Sequence, residues 1–244
     1  MVVSHDNRYP GGKGLAGITQ WLVGMMPTHS FYCEPFAGKA ALLRNKPPAL
    51  ESLLIDLDRE VLAWLVKLAW PGSIVKRADG IDWLEDSADK LDDDALIYCD
   101  PPYLPNTRRR LNLYKHEMPR SQHVRLLSII KQLDCRVMIS GYDSPLYARQ
   151  LKSWHRDTHS AITRGGTIAT EVVWTNFDVR TVSPASPVEY SALGDDYRER
   201  ERVARKLQRW AAKLEALPVR EREALVANLI HSHQIASRSA ASTI

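Results

Sequence analysis

Asp100, Pro101, Pro102 and Tyr103 close a run of strand-type residues, Ala95-Leu-Ile-Tyr-Cys99. The run is too short for a helix, and the charged stretch Leu91-Asp-Asp-Asp94 bounds it on the other side. Two successive prolines end any sheet ladder, because neither can donate an N–H. A carboxylate is thereby left at the carboxyl end of a buried strand, where open α/β sheets bind their ligands. Glu34, Asp56 and Asp79 stand at the exits of three earlier strand-like runs. One such carboxylate is usually only a helix cap. Four at equivalent ends predict a ligand cleft along the sheet edge.

The elements that must position these groups alternate in type. Phe31-Tyr-Cys-Glu34 is a short strand, followed by the glycine turn Pro35-Phe36-Ala37-Gly38 and a small-residue helix start at Lys39-Ala40-Ala41. Such a turn lets a ligand approach the backbone, although it is neither a GxGxxG fingerprint nor a phosphate loop. A second strand ends in Asp56 and Asp58, about 20 residues after the turn, where an acidic group can accept hydrogen bonds from a ribose. Val61, Leu62, Leu65 and Leu68 mark a helix, and residues 73–76 a third strand. Ser121 caps a helix carrying Val124, Leu127, Ile130 and Leu133, and residues 135–142 form a fifth strand. Residues 154–163 and 169–177 are strands joined by a turn at Arg164-Gly165-Gly166. The expected fold is α/β: a mostly parallel sheet with an antiparallel edge strand.

Two stretches suit anions. Gly11-Gly12-Lys13 precedes a helix carrying Leu15, Ile18, Leu22, Val23 and Met26. An anion-binding start and an ordinary flexible turn fit it equally. The second stretch follows Tyr103 directly. Residues 104–125 hold six Lys/Arg against one Glu, with Arg108, Arg109, Arg110, Tyr114 and Lys115 at their centre. At the mouth of a cleft, that balance predicts nucleic-acid contact over residues 104–120.

The whole chain sets bounds on function. At 244 residues and net charge +4 it holds one good-sized domain and an appendage, with only a mild basic excess. Three widely spaced cysteines, Cys33, Cys99 and Cys135, sit in apolar runs and read as buried reduced thiols. Eight histidines show no ligand spacing, so no metal is expected. No run approaches a membrane span and the first residues lack a signal-peptide core, which predicts the cytoplasm of a bacterial host cell. Pro184 and Pro187 lie in the linker that ends the main domain, residues 1–183. Residues 184–244 are expected to carry a basic helical hairpin broken at Pro218, with Val203, Leu207, Trp210, Leu214 and Leu217 as its seam. That hairpin could dock on the main domain or on a second copy of the chain, and a solvated helix face outweighs DNA contact for its basic residues.

Taken together the motifs resemble the DNA adenine N6-methyltransferases of the Dam type, particularly the compact phage-encoded members. The residues that carry the resemblance are Tyr9-Pro-Gly-Gly-Lys13, Glu34-Pro-Phe-Ala-Gly38, Ile55-Asp56 and Asp100-Pro-Pro-Tyr103, in that order. Ser140-Gly-Tyr142 and Thr170-Glu-Val-Val-Trp-Thr-Asn176 are also similar, so the likeness spans about residues 7–178.

The resemblance implies S-adenosyl-L-methionine as cofactor, duplex DNA with a flipped adenine as substrate, and a Rossmann-like sheet with a reversed strand near one edge. It implies that Tyr9, Gly12 and Lys13 border the cofactor and the target base, and that Pro35, Phe36 and Gly38 lie under the methionine part. Asp56 would hold the ribose hydroxyls and Asp79 the cofactor's adenine. Asp100, Pro101, Pro102 and Tyr103 would be catalytic, holding the target adenine. Two departures stand out. Ala40 occupies a position where the family usually has glycine, which would weaken cofactor affinity. Only 21 positions separate Asp79 from Asp100, which leaves no room for the recognition domain that larger members place there. A short or relaxed target sequence is the expectation. Methylation of structured RNA, or a silent DNA-binding protein on the same fold, are the competing readings.

Overall fold

The computed structural model describes residues 17–107, 114–162 and 168–181, with scattered positions between 209 and 225. The chain divides into two compact units, Met1–Gly194 and Asp195–Ile244. In the first, seven strands form one sheet: β1 (Phe31–Glu34), β2 (Glu51–Asp56), β3 (Ser73–Arg77), β4 (Ala95–Cys99), β5 (Arg136–Gly141), β6 (His155–Ile162) and β7 (Ile168–Thr175). Their order is β3-β2-β1-β4-β5-β7-β6. The first five run parallel, and β7 is antiparallel to both β5 and β6. The reversed strand is thus the penultimate one, between β5 and the outer β6. The strand order changes direction between β1 and β4, the point at which such sheets open a ligand crevice.

Among the described residues five helices flank the sheet: α1 (Ile18–Gly24), α2 (Arg59–Leu68), α3 (Gly80–Ser87), α4 (Arg120–Ile130) and α5 (Pro145–Gln150). Side chains alternate along a strand, so Leu53 and Ile55 face one apolar layer while Leu54 faces the other. The first layer is closed by Ile81 and Leu84 of α3, Leu126 and Leu127 of α4, and Leu146 of α5. The second is closed by Ile18 and Leu22 of α1 and by Val61 and Leu65 of α2. Each such aliphatic side chain contributes about 1.5–3 kcal/mol when fully buried. β4 is buried at every position, as expected of a central strand covered on both faces. Beside it, Asn176 continues the ladder with its side chain, accepting from Val137 N–H and donating to Cys135 O, each at 2.8 Å. All three cysteines are buried free thiols.

Three local expectations need correction. The turn at Gly38 does not lead into a helix: residues 41–45 form successive turns. There the buried Glu34 carboxylate takes the Leu43 N–H, and Pro47 and Pro48 leave no room to extend a helix. Ser121 does not cap α4; Pro119 precedes the helix without a side-chain bond. The buried face of α4 is also rotated from the expected one, since Val124 is exposed while His123 and Leu126 are buried.

The turn at Arg164-Gly165-Gly166 and the linker through Pro184 and Pro187 lie outside the described residues. In the second unit, Arg209, Lys213, Leu214, Glu221, Arg222 and Leu225 have helical backbone, and Ala216 to Pro218 turn between them. Among the described residues no helix is long and apolar enough to cross a membrane.

Candidate active site

The carboxyl ends of β1 and β2 and the segments after β3 and β4 border one cavity of about 610 Å³, within the range of about 300–1,000 Å³ usual for small-ligand sites. Glu34, Asp56, Asp79 and Asp100, the four acidic strand exits, all stand on its wall. Pro35, Phe36 and Gly38 border it from the turn after β1, and Pro102 from the segment after β4.

On the β1–β2–β3 side the wall is built from backbone and carboxylates. Gly38 adopts φ 50°, a left-handed conformation that costs glycine little. Its N–H donates to Asp56 Oδ2 at 2.9 Å, while Asp56 Oδ1 accepts from Asp58 N–H at 2.8 Å. A carboxylate has about four acceptor positions, so Asp56 can still accept hydroxyls from a ligand. Burial pushes the Asp56 carboxyl above its ordinary range, against the pull of the Asp58 and Gly38 N–H groups. Asp58 and Asp79 cap their helices: Asp58 accepts from Glu60 N–H at 2.9 Å, and Asp79 from Ile81 N–H at 2.8 Å. Asp79 therefore serves as a cap and as part of the wall at once. Gly80 permits this closeness, since a Cβ there would fall 2.2 Å from the Pro35 carbonyl oxygen. Ala40 is buried at φ 45°, a left-handed geometry costing a non-glycine residue roughly 1–2 kcal/mol. The preference for glycine at this position is thus a matter of backbone conformation as well as space.

Beneath this wall lies a buried pair. Glu34 accepts from the Tyr32 hydroxyl at 2.9 Å and from Leu43 N–H at 3.0 Å. Burial lifts its carboxyl to about 7; those two donors and Lys46 oppose the rise, and the charge of Asp100 adds to it. Lys46 is fully buried, with Nζ donating to Pro47 O at 2.8 Å and lying 4.4 Å from the Tyr32 ring centroid. Burial brings its ammonium down to about 7, with Glu34 opposing.

On the β4–β5–β7 side Tyr98, Asp100 and Pro102 border the cavity, and they are backed by side chains joined across strands. Ser140 Oγ donates to Asp100 Oδ1 at 3.1 Å and lies 2.8 Å from the Tyr98 hydroxyl. Tyr103 is only 8% exposed: its hydroxyl donates to the buried Glu171 of β7, and its ring meets Tyr142 edge-on at 4.8 Å. Burial first, then Asp100 and Glu171, push its phenol well above the ordinary value, so it stays a donor. Neither Pro101 nor Tyr103 borders the cavity. Tyr103, expected to hold the target adenine, therefore sits behind the wall in this structure.

The basic segment is described only in part. Tyr114 and Lys115 border the cavity, and Lys115 Nζ lies 3.0 Å from Asp58 Oδ1 and 3.8 Å from Glu60 Oε1. Lys115 thus ties the segment to the start of α2. Arg108, Arg109 and Arg110 lie outside the described residues, as do Tyr9, Gly12 and Lys13. Composition did not reveal Ser140, Glu171 or the Lys46–Tyr32 contact as parts of the site. Ser140 and Glu171 fall in stretches that resemble the family, but nothing in their spacing gives a role.

Among the described residues no group of three or more His, Cys, Asp or Glu is placed to hold a metal ion. The cavity suits an organic group instead. Phe36 and Ile81 offer apolar surface for a flat ring, and Asp56 and Asp79 offer acceptors beside it.

Residues 84–164, a third of the chain, match the D12 class N6 adenine-specific DNA methyltransferase family. The match includes the end of α3, β4, the Asp100–Tyr103 segment and β5. With the sheet order, it defines the class: an enzyme of the methyltransferase type on a Rossmann-like sheet. Within that class, the match supports the resemblance to Dam-type adenine methyltransferases. No curated protein matches the chain. Solved structures that share its outline include a SAM-dependent methyltransferase of Agrobacterium tumefaciens, at 12% identity and TM-score 0.44, covering 65% of this chain and 61% of that one. They also include an rRNA methylase of Streptococcus thermophilus, at 12% identity and TM-score 0.42, covering 66% and 94%. A precorrin-6y C5,15-methyltransferase of Geobacter metallireducens has 8% identity and TM-score 0.44, covering 69% and 94%. Likeness of this degree carries no argument about substrate.

Proposed function

We propose that the chain transfers a methyl group from S-adenosyl-L-methionine to the N6 amine of adenine in DNA, in the manner of the compact phage-encoded Dam-type enzymes. The observation that carries this reading is the placing of Asp100 and Pro102 on the wall of the cavity that Asp56 and Asp79 also border. A family match over the same Asp100 segment supports it.

When bound, the cofactor supplies a methyl group on positively charged sulfur, a strong electrophile that needs no metal or covalent enzyme intermediate. Asp56 would accept the ribose hydroxyls, Asp79 would reach the adenine, and the turn at Pro35, Phe36 and Gly38 would underlie the rest. What remains is to make a poor nucleophile attack in line, because the adenine amine's lone pair is delocalised into its ring. The Asp100 carboxylate, which borders the cavity, would accept one N6 hydrogen and aim the lone pair at the methyl. Asp100 would also stabilise the positive charge that grows on nitrogen. Alignment of this kind can supply ~7–11 kcal/mol of a barrier. The target base must first leave the duplex, which costs a few kcal/mol. Arg108, Arg109 and Arg110, in the segment after Tyr103, would hold the phosphates. Residues 80–99 form α3 and β4 with only a single 3-10 turn at Ala88–Lys90 and a short link between them, which supports recognition by the segment after Tyr103 and a short or relaxed target.

The test is transfer of labelled methyl to duplex DNA, single-stranded DNA and RNA, with Asp100→Ala as control. Duplex DNA should gain N6-methyladenine, and Asp100→Ala should lower kcat by roughly a thousandfold, the scale for removing one aligned polar group. No transfer to any substrate would overturn the reading. Transfer to RNA alone would replace DNA with a structured RNA.

A further inference from the structure

Two hydroxyls that are 0% and 2% exposed stand in line with the Asp100 carboxylate. Ser140 Oγ donates to Asp100 Oδ1 at 3.1 Å, and the Tyr98 hydroxyl lies 2.8 Å from Ser140 Oγ. A serine hydroxyl has a single hydrogen. With that hydrogen on Asp100, the bond between Tyr98 and Ser140 must be donated by the tyrosine. The three groups form a one-way chain from Tyr98 through Ser140 to Asp100.

The sheet makes this chain rigid. Parallel pairing sets Tyr98 against Met138 and Cys99 against Ile139, which brings Ser140 beside Asp100. On its other side Ser140 pairs with Val173 of β7. The serine is therefore held by ladders on both edges of β5, and its hydroxyl has little freedom to swing. Asp100, by contrast, lies just beyond the end of β4, and a carboxylate turns about its last bond in a broad, roughly twofold well. The Ser140 hydrogen bond at Oδ1 narrows the orientations open to its acceptor oxygens.

We propose that Ser140 and Tyr98 are positioning residues for methyl transfer: Ser140 fixes the rotation of the Asp100 carboxylate, and Tyr98 holds Ser140 in the donating orientation. This rests on the adenine-N6 reading above and adds to it which groups aim the acceptor. Ser140 lies behind the cavity wall, whereas Tyr98 also borders the cavity. The effect of Ser140 falls on the transition state, where alignment of the amine matters, and hardly on the binding of cofactor or DNA.

The experiment compares full-length wild type with Ser140→Ala, Tyr98→Phe and the double variant, measuring kcat, both KM values and Tm. A hydrogen bond to a charged group predicts a loss of about 10- to 100-fold in kcat for Ser140→Ala, with both KM values within about twofold. A neutral bond predicts a smaller loss of about 2- to 10-fold for Tyr98→Phe. On this proposal the hydroxyl of Tyr98 acts through Ser140, so the double variant should lose no more than Ser140→Ala alone. An unchanged kcat in Ser140→Ala, a loss carried by KM, or losses that simply multiply in the double variant would each overturn the proposal. If Ser140→Ala fails to fold, Tyr98→Phe decides by its kcat and KM alone, since it keeps the ring. A wild-type enzyme that methylates no adenine would instead remove the function on which the proposal rests.

Discussion

On the β1–β2–β3 side, the cavity is held by short-range contacts. Asp56 binds the N–H groups of Gly38 and Asp58, and Asp79 binds that of Ile81, two residues on. On the β4–β5–β7 side, Asp100 is held by Ser140, 40 residues away, and Tyr103 by Glu171, 68 residues away. The first side is a set of turns and helix caps that can form as soon as β1 and β2 pair. On the second side, the Ser140 contact needs β5 beside β4, and the Glu171 contact needs β7 beside β5. The Asp56 turn can therefore be set by nearby chain geometry, whereas the orientation of the acceptor at Asp100 depends on a strand from further along the chain.

The strongest way to break this division is Asp56→Ala. It removes the acceptor from two backbone N–H groups and, on the proposed reading, from a ribose as well. The cofactor KM should rise roughly 100-fold, the size expected for two hydrogen bonds to a charged group. The value of kcat at saturating cofactor should change far less, which steady-state kinetics with varied cofactor would resolve. A variant that kept its cofactor affinity and lost kcat instead would show that the two sides are not separate.

That division also explains what the sequence reveals and what it hides. Strands β1 to β5 follow from apolar runs bounded by acidic or proline exits, and the acidic exits at Asp56, Asp79 and Asp100 share one cavity. Those signals are local, so a single chain carries them. Ser140 and Glu171 become interpretable only through strand register, which pairs Ser140 with Val173 and sets Glu171 two residues further from β5's centre. Tyr103 misleads for the same reason: its motif suggests an open ring, while Tyr142 and Glu171 from distant segments cover it. Lys46 shows no pattern at all, and its burial depends on Glu34 and Tyr32 being beneath the turn.

A second, smaller effect sharpens the long-range side. Glu171→Ala takes away the acceptor of a buried hydroxyl and should destabilise the fold by about 1–3 kcal/mol, measurable as a lower Tm. Activity on DNA should fall about tenfold while cofactor affinity holds. Replacing both partners by apolar groups can be nearly neutral, so Glu171→Leu combined with Tyr103→Phe should recover most of the Tm. Recovery of stability without activity would mean that the hydroxyl–carboxylate contact places the wall for the substrate. Recovery of both would reduce the pair to packing.

The smallest effect concerns the one described residue that reaches from the segment after Tyr103 to the caps of the other side. Lys115 is 58% exposed at its side chain and pairs with Asp58 and Glu60; exposed ion pairs are weak and screened by salt. If its partner is Asp58 in solution too, Lys115→Ala should raise the cofactor KM by only about two- to fivefold, and the difference from wild type should vanish at high salt. The salt dependence of DNA binding should then be unchanged. A phosphate contact would behave differently: its loss lowers the slope of log affinity against log salt by about one, uniformly across sequences. Measuring that slope for Lys115→Ala therefore decides whether this lysine belongs to the cofactor side or to the nucleic-acid interface that its charge alone suggests.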